Sequence, residues 1–272
     1  MVLNSFLQEV RALKPGNVSQ YAAGHDMRFE DFEHSARLCT PILCQQQLRV
    51  GERILGAVEL TRENVGCNTN LGMLLLYAPL IKAYKTNSND ESLREDLSQV
   101  LEMLDQSDAS DVYRAISLAK PGGLGRLEEN DVSFIPDISL LEAMEIASER
   151  DMVARQYVSG YEDVFNIGFE SIVEFDMRWN SVEWAAVGCY LRLMSRFPDS
   201  HIRRKFGLAV AEQVQNSSKA VFERFKNKKN PAEAKTELLE FDKELKDSGI
   251  NPGTSADLTA ASLLVYAMTK PD

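Results

Sequence analysis

Histidine and closely paired cysteines are scarce in this chain of 272 residues. The three histidines (His25, His34 and His201) are too few for a zinc site or a nucleophile-and-base system that needs several imidazoles. The four cysteines lie in or beside apolar helical patterns without CxxC spacing: Cys39, Cys44, Cys67 and Cys189. This pattern indicates reduced, buried thiols, so a disulfide framework and a zinc site are both disfavoured.

The chain also lacks a long apolar run and an excess of positive charge. No apolar run approaches the roughly 20 residues of a membrane span, and the N-terminus has neither the basic start nor the cleavage pattern of a signal peptide. We therefore expect a cytoplasmic protein without a membrane partner. The net charge of −11 and the pI near 4.9 argue against general nucleic-acid binding. A phosphate-bearing small molecule stays compatible if local basic residues or a divalent cation offset the acidity.

Helical periodicity runs through most of the sequence, and no window alternates convincingly at the period of two that marks strands. The pattern predicts an all-α protein, with one large domain over residues 1–272 and about ten helices around a buried central helix. Three of the predicted helices are long: 27–47, 139–157 and 200–226. Neither a repeat of fixed length nor sustained heptads occurs, which disfavours a solenoid and a coiled coil.

The predicted central helix follows a polar turn in residues 65–80, VGCNTNLGMLLLYAPL. Asn68, Thr69 and Asn70 are good N-cap residues, and the residues after them are apolar on every side, which predicts burial all round. Pro79 is expected to bend or end this helix. The first turn would aim unpaired N–H groups at the middle of the protein, an arrangement that suits phosphate. Simple capping of a core helix is the alternative.

Two polar segments combine Pro-Gly turns with charged or hydroxyl side chains. In the first, KPGNVS followed by GHDM, Lys14 could bind phosphate, and His25 and Asp26 offer a base and a carboxylate. Its alternative is a helix C-cap followed by an N-cap. In the second, NPGTSADLTA, hydroxyl caps precede Asp257, which is either a dipole partner or a ligand of a divalent ion.

The fourth polar segment, FPDSHIRRKFG, crowds Arg203, Arg204 and Lys205 into one turn. A solvated helix face is the alternative for such a cluster. Because each of the four segments lies at a helix start, one shared cavity explains them better than four separate coincidences. We expect five residues in particular to converge on that cavity: His25, Asp26, Asn68, Thr69 and Asp257.

Five segments carry a family resemblance: KPGNV with the following HDM, the GCNTNLG turn, DVYRAISLAKPGGLG, PDSHIRRKFG and NPGTSADLTAASLL. Their order and spacing, from about residue 8 to residue 268, resemble the triphosphoribosyl-dephospho-CoA synthase family, which makes the precursor of the citrate lyase and malonate decarboxylase prosthetic group. The resemblance implies an all-α transferase. In its reaction the ribose 2′-hydroxyl of dephospho-CoA attacks the anomeric carbon of ATP and releases adenine.

The resemblance also assigns tasks to individual residues. His25, Asp26 and Asp257 are the expected catalytic residues, and Asp26 with Asp257 would hold Mg²⁺ on the triphosphate. The expected substrate and phosphate contacts are Lys14, Asn17, Asn68, Thr69, Asn70, Arg204, Lys205, Thr254 and Ser255. The expected partners are small molecules, ATP and a phosphorylated cofactor precursor, and a homodimer is a further expectation.

The chain departs from the citrate lyase type at three positions. That type usually shows His and then Lys or Arg where Asn70 and Leu71 stand, and commonly Asp where Ser19 stands. These changes remove a base and a phosphate contact, and predict poor transfer to dephospho-CoA. Two alternatives follow: a sister-branch enzyme that uses ATP on another phosphorylated precursor, for instance in pterin-type cofactor biosynthesis, or a non-catalytic nucleotide-binding protein.

Overall fold

Every helix or strand of the described part of the chain is a helix. The computed structural model describes residues 1–25, 27–67, 69–85, 89–121 and 136–270. In these residues the chain forms fourteen α-helices, one π-helix and one 3₁₀-helix, and no strand. The prediction of an all-α fold is confirmed, and the helices outnumber the expected ten.

The helices are numbered in chain order. Those of the first half are α1 (Val2–Arg11), α2 (Phe29–Leu43), α3 (Val50–Asn64), α4 (Leu71–Ala83), α5 (Asp90–Glu102), α6 (Gln106–Ala119) and α7 (Leu140–Ala147). Those of the second half are α8 (Met152–Val158), the π-helix (Val164–Phe169), α9 (Glu170–Trp179), α10 (Val182–Arg196), α11 (Ser200–Phe206), α12 (Leu208–Lys226), the 3₁₀-helix (Pro231–Ala234), α13 (Lys235–Asp247) and α14 (Gly253–Thr269). None of these described helices combines the length and the apolar character that crossing a bilayer requires.

Two of the long predicted helices are divided in the structure. The segment 200–226 forms α11 and α12 because Gly207 adopts φ +90°, a conformation open to glycine and unfavourable for other residues. The segment 139–157 forms α7 and α8, with Asp151 as the N-cap of α8. Both breaks are too short to interrupt the apolar periodicity, so periodicity alone merged each pair.

Two helices form the centre of the molecule. Ten of the thirteen residues of α4 are buried, as are twelve of the seventeen residues of α14. The two helices pack against each other; α4 also contacts α3 and α5, and α14 contacts α1, α10 and the π-helix. The predicted burial of the helix after residue 70 is therefore observed, and a second helix shares the centre with it.

The central helix α4 continues through Pro79 to Ala83. Proline has no N–H for the carbonyl of Leu75, four residues earlier. The hydroxyl of Tyr157 donates to that carbonyl at 2.6 Å, and the hydroxyl of Tyr161 donates to the carbonyl of Leu76 at 3.1 Å. A side chain of α8 thus supplies the donor that the proline removes.

Candidate active site

A cavity of about 820 Å³ lies where the starts of α4, α11 and α14 approach one another. The loop between α1 and α2 closes one side of it, and α6, α7 and α8 form another wall. Helix starts carry partial positive charge, so three of them around one cavity favour an anionic ligand.

Most of the residues predicted for the site line this cavity. Those that do are Asn17, His25, Thr69, Asn70, Arg204, Lys205, Thr254 and Asp257. Lys14 and Ser255 are not among the lining residues. Asp26 and Asn68 lie outside the described residues. One cavity therefore contains residues from all four of the polar segments.

Asp257 stands at the boundary between α14 and α4. Its carboxylate packs on Gly72, where an added Cβ would lie 2.0 Å from Oδ2. Among the described residues no hydrogen bond or ion pair to this carboxylate is seen. Burial raises the pKa of Asp257 well above its ordinary value; the charges of Glu9, Asp199 and Asp151 add to the rise and that of Arg204 opposes it. A cation or a donor on a ligand would remove this electrostatic cost.

The buried carboxylate of Asp199 joins the starts of α11 and α14. Its Oδ2 accepts hydrogen bonds from the backbone N–H and the hydroxyl of Ser255, at 2.7 and 2.8 Å. Its Oδ1 accepts from the backbone N–H groups of His201 and Ile202, at 2.9 and 3.2 Å. Ser255 is thus engaged in holding two helices together, which explains its absence from the cavity wall.

The start of α4 is held less completely. The hydroxyls of Thr69 and Ser35 share a hydrogen bond of 2.7 Å, and Nδ2 of Asn70 donates to Sγ of Cys39 at 3.6 Å. The side chain of Asn70 makes no capping hydrogen bond. Gly72 lies in this first turn, whose N–H groups have no acceptor within the helix, and it lines the cavity.

His25 is held in one orientation by the turn that precedes it. Its Nε2 lies 2.9 Å from the carbonyl oxygen of Gly16, and its φ is +56°. A carbonyl only accepts hydrogen bonds, so Nε2 carries the proton and a neutral ring leaves Nδ1 as a lone-pair acceptor. This is the state that a general base requires.

The second histidine of the cavity, His201, was not among the predicted site residues. Burial, together with the charges of Arg204, Lys205 and His25, lowers its pKa to about 4. The ring is therefore neutral near pH 7. The sequence analysis selected the segment FPDSHIRRKFG only for its basic cluster. A histidine within a polar segment at a helix start is the sequence signal that could have identified His201.

Positive side chains concentrate at the cavity although the protein as a whole is acidic. Those that line it are Lys120, Arg150, Arg203, Arg204 and Lys205, and the lining carboxylates are Asp151 and Asp257. Arg204 also donates to Asp151 at 3.2 Å, which ties α11 to the start of α8. The sequence analysis did not select Lys120 and Arg150, because each lies at a helix end where a basic residue is common.

Part of the cavity lining is apolar. It consists of side chains of α6, α7 and α8, among them Val112, Ile116, Leu140, Met144 and Val153. In the sequence these residues belong to ordinary amphipathic helices, and nothing separates them from core residues. Such a surface suits the faces of a purine or an uncharged arm of a ligand.

Lys14 occupies a different place from the one predicted. It is 0% exposed, and its ammonium lies 2.5 Å from Oε1 of Glu9, 2.7 Å from Oδ1 of Asn17 and 3.0 Å from the carbonyl of Val18. Burial lowers the pKa of Lys14 and raises that of Glu9, and the charge of each partner opposes the shift of the other. All three ammonium donors have acceptors, so none remains for a phosphate.

Comparison with known proteins agrees with this geometry. The family model CitG, described as ATP:dephospho-CoA triphosphoribosyl transferase, matches residues 1–272. The chain belongs to the ATP:dephospho-CoA triphosphoribosyl transferase family. A crystal structure of an Archaeoglobus fulgidus protein assigned as a triphosphoribosyl-dephospho-CoA synthase has the same fold, with a TM-score of 0.69. It is 26% identical in sequence, over 87% of this chain and 98% of that one, and no curated protein matches.

Membership of this family makes the chain a transferase whose family reaction uses ATP and dephospho-CoA. The resemblance inferred from the sequence is thereby confirmed. The family match favours dephospho-CoA as the acceptor over the precursor of a sister branch. Asn70 and Leu71, where the chain departs from the citrate lyase type, have side chains 5% and 8% exposed at the start of α4.

Proposed function

We propose that this transferase moves the triphosphoribosyl group of ATP to dephospho-CoA within the described cavity. The main support is that one cavity brings together three helix starts, a cationic cluster and an apolar wall. It also contains Asp257, a carboxylate with no partner among the described residues. The triphosphate lies at the cationic end, against the starts of α4, α11 and α14. The adenine lies toward the wall of α6, α7 and α8.

In the proposed step the ribose 2′-hydroxyl of dephospho-CoA forms a bond to the anomeric carbon of ATP. The bond from that carbon to the adenine nitrogen breaks, and adenine leaves with the bonding electron pair. His25 accepts the hydroxyl proton at Nδ1, since its Nε2 proton is committed to the carbonyl of Gly16. A residue that replaces the base expected near Asn70 is thus present in the same cavity. Departing adenine takes up a proton to complete the balance.

Mg²⁺ fits the site as an ion shared with the substrate. Among the described residues no group of three or more His, Cys, Asp and Glu side chains could hold a metal. Magnesium commonly binds to one or two carboxylates together with substrate phosphates, and Asp257 is a lining carboxylate with no hydrogen bond or ion pair to any other described residue. Bound there, the ion would offset the charge of the triphosphate. Asp26 stays a predicted second ligand.

The direct test is mass spectrometry of products after incubation with ATP, Mg²⁺ and dephospho-CoA. We expect free adenine and triphosphoribosyl-dephospho-CoA in equal amounts, with loss of both in excess chelator. An Asp257→Asn variant should lose the products, while an exposed match, Asp247→Asn, should keep them. Adenine release with a pterin-type precursor and none with dephospho-CoA would contradict the proposal, as would ATP binding without any adenine release.

The sequence-based expectations of a cytoplasmic location and of a homodimer complete the proposed picture. Light scattering coupled to size-exclusion chromatography and cell fractionation would check them.

A further inference from the structure

The buried ammonium of Lys14 determines how the amide of Asn17 is oriented. An ammonium group has donors and no acceptor, so the Asn17 atom 2.7 Å from it must be the oxygen Oδ1. Asn17 is itself only 6% exposed, which leaves the amide no room to turn toward solvent. Its Nδ2 group therefore faces away from Lys14.

The same reasoning extends to Asn251. Nδ2 of Asn17 donates at 2.8 Å to Asn251, so the receiving atom must be Oδ1. Nδ2 of Asn251 is then directed away from Asn17, and no acceptor for it is seen among the described residues. Both asparagines line the cavity. We call Asn17 and Asn251 the amide pair.

We propose that the amide pair is a donor site for a phosphate oxygen of the substrate, and that Lys14 is the positioning residue that turns its N–H groups to the cavity. The inference rests on the proposed function and adds a substrate contact to it. Asn251 immediately precedes Pro252, the N-cap of α14, so the positive end of that helix adds to the attraction for an anion.

Glu9 explains why this part of the site uses amides in place of a free ammonium. Its carboxylate is 1% exposed and is neutralised by Lys14, and apart from this ion pair neither oxygen has a hydrogen-bond donor among the described residues. The charge of Lys14 is thus compensated inside the protein. Lys14 acts on the cavity through a chain of hydrogen bonds: it donates to Asn17, and Asn17 donates to Asn251. Each donor in the chain polarises the next.

Asn251→Asp is the sharpest variant because it keeps the shape of the side chain while it removes the N–H donors and adds one negative charge. The carboxylate keeps an oxygen for Nδ2 of Asn17 and puts a negative oxygen where the N–H groups were. We expect the Kd of ATP with Mg²⁺, or the Kd of dephospho-CoA, to rise about 10- to 100-fold in calorimetry, as for lost hydrogen bonds to a charged group. The ligand affected identifies which phosphate the amide pair binds.

Asn230→Asp is the matched control. Asn230 is exposed, lies outside the cavity lining and caps the 3₁₀-helix through an oxygen that Asp retains. It carries the same change of charge and should leave both Kd values within about twofold. Equal effects of the two variants on both ligands would overturn the donor site.

The role of Lys14 is tested in a cycle with the neutral double variant Glu9→Gln with Lys14→Met. The cycle uses the neutral change Asn251→Ala, which removes the donors without adding a charge. If Lys14 orients the amide pair, Asn251→Ala should weaken binding less than about threefold in this background and more in the unaltered protein. A full effect in both would overturn the positioning role. If the double variant does not fold, Asn17→Asp replaces it: its oxygen repels Oδ1 of Asn251, so that amide should turn over and Asn251→Ala should again add little.

Binding and turnover separate this inference from the proposed function. Weakened binding in Asn251→Asp without any transfer by the unaltered protein would support the donor site and contradict the function. Transfer by the unaltered protein with unchanged binding in Asn251→Asp would support the function and contradict the donor site. An unaltered protein that binds neither ATP nor dephospho-CoA would overturn both.

Discussion

The two central helices, α4 and α14, resemble each other in sequence and differ in how their starts are used. Both follow a polar turn, both are apolar on nearly every side, and both begin at the cavity. The start of α14 is joined to α11 through the four hydrogen bonds of Asp199. The start of α4 has no side-chain cap from Asn70. Among the described residues, one helix start is thus anchored by a buried carboxylate, while the other contacts α2 through Thr69 and Asn70.

The contrast shows that similar capping residues do different work in one site. Hydroxyl and amide residues at a helix start satisfy the helix itself, another helix or a ligand, and the neighbouring side chain decides which. Ser255 is engaged by a buried carboxylate. Gly72 lines the cavity beside Asp257.

The largest effect is expected from removing the anchor of α14. Asp199→Ala leaves the backbone N–H and hydroxyl of Ser255 and the N–H of Ile202 without their acceptor in a buried region, while the N–H of His201 keeps the hydroxyl of Thr254. The loss should lower the free energy of unfolding by about 3–5 kcal/mol. Urea unfolding measures this change. Asp247→Ala, which removes an exposed partner of Lys243, should cost no more than about 1 kcal/mol. Similar losses in both variants would contradict the anchoring role.

The next effect concerns the close contact between the two helices. Gly72→Ala places a Cβ 2.0 Å from Oδ2 of Asp257, so the carboxylate or the helices must shift. A displacement of this size at a reacting centre should lower kcat/KM about 100-fold. Gly56→Ala in α3, where the added Cβ would meet only Cγ2 of Ile42 at 3.3 Å, is the control and should stay active. Unimpaired turnover in Gly72→Ala would remove Asp257 from the mechanism.

A smaller effect is expected where α4 passes through Pro79. Tyr157→Phe leaves the carbonyl of Leu75 without a donor and should destabilise the fold by about 2 kcal/mol. Tyr161→Phe should cost less, since the carbonyl of Leu76 also has the helical N–H of Leu80. Adding Pro79→Ala restores the N–H to Leu75, so the double variant with Tyr157→Phe should recover stability in thermal unfolding. No recovery would contradict the view that Tyr157 supplies the donor that Pro79 lacks.

The smallest effect is a pH dependence at the start of α11, where His201 lies. The folded-state pKa of His201, about 4, lies below its ordinary value of 6.5, so protonation favours the unfolded chain. This contribution is fully present above pH 6.5 and is lost as the pH falls toward 4. At pH 5 the loss should be about 1 kcal/mol after allowance for partial exposure. His201→Gln should show a flatter dependence of the free energy of unfolding on pH, and an unchanged profile would count against the buried neutral ring.

Several features of the site were accessible from local sequence. The polar breaks before apolar helices marked the starts of α4 and α14, because cap residues and unpaired N–H groups are local properties. Gly207 and Asp151, which divide two of the predicted helices, were hidden because a short break preserves the apolar period. The apolar wall of α6, α7 and α8 was hidden for a related reason: a residue that lines a cavity has the same pattern as a residue in a core.

The sequence by itself determined the helical class, the burial of α4 and the family, since periodicity, capping and ordered motifs all depend on residues near one another in the chain. Only the tertiary structure decided which polar residues line the cavity. The sequence pattern predicted Lys14 as a phosphate contact. In the structure its three ammonium donors are taken by Glu9, Asn17 and the carbonyl of Val18. Asn251, 234 residues away from Asn17, faces the cavity in its place. The physical reason is that a buried charge takes the nearest acceptors that packing provides, and packing joins residues whose separation in sequence carries no signal.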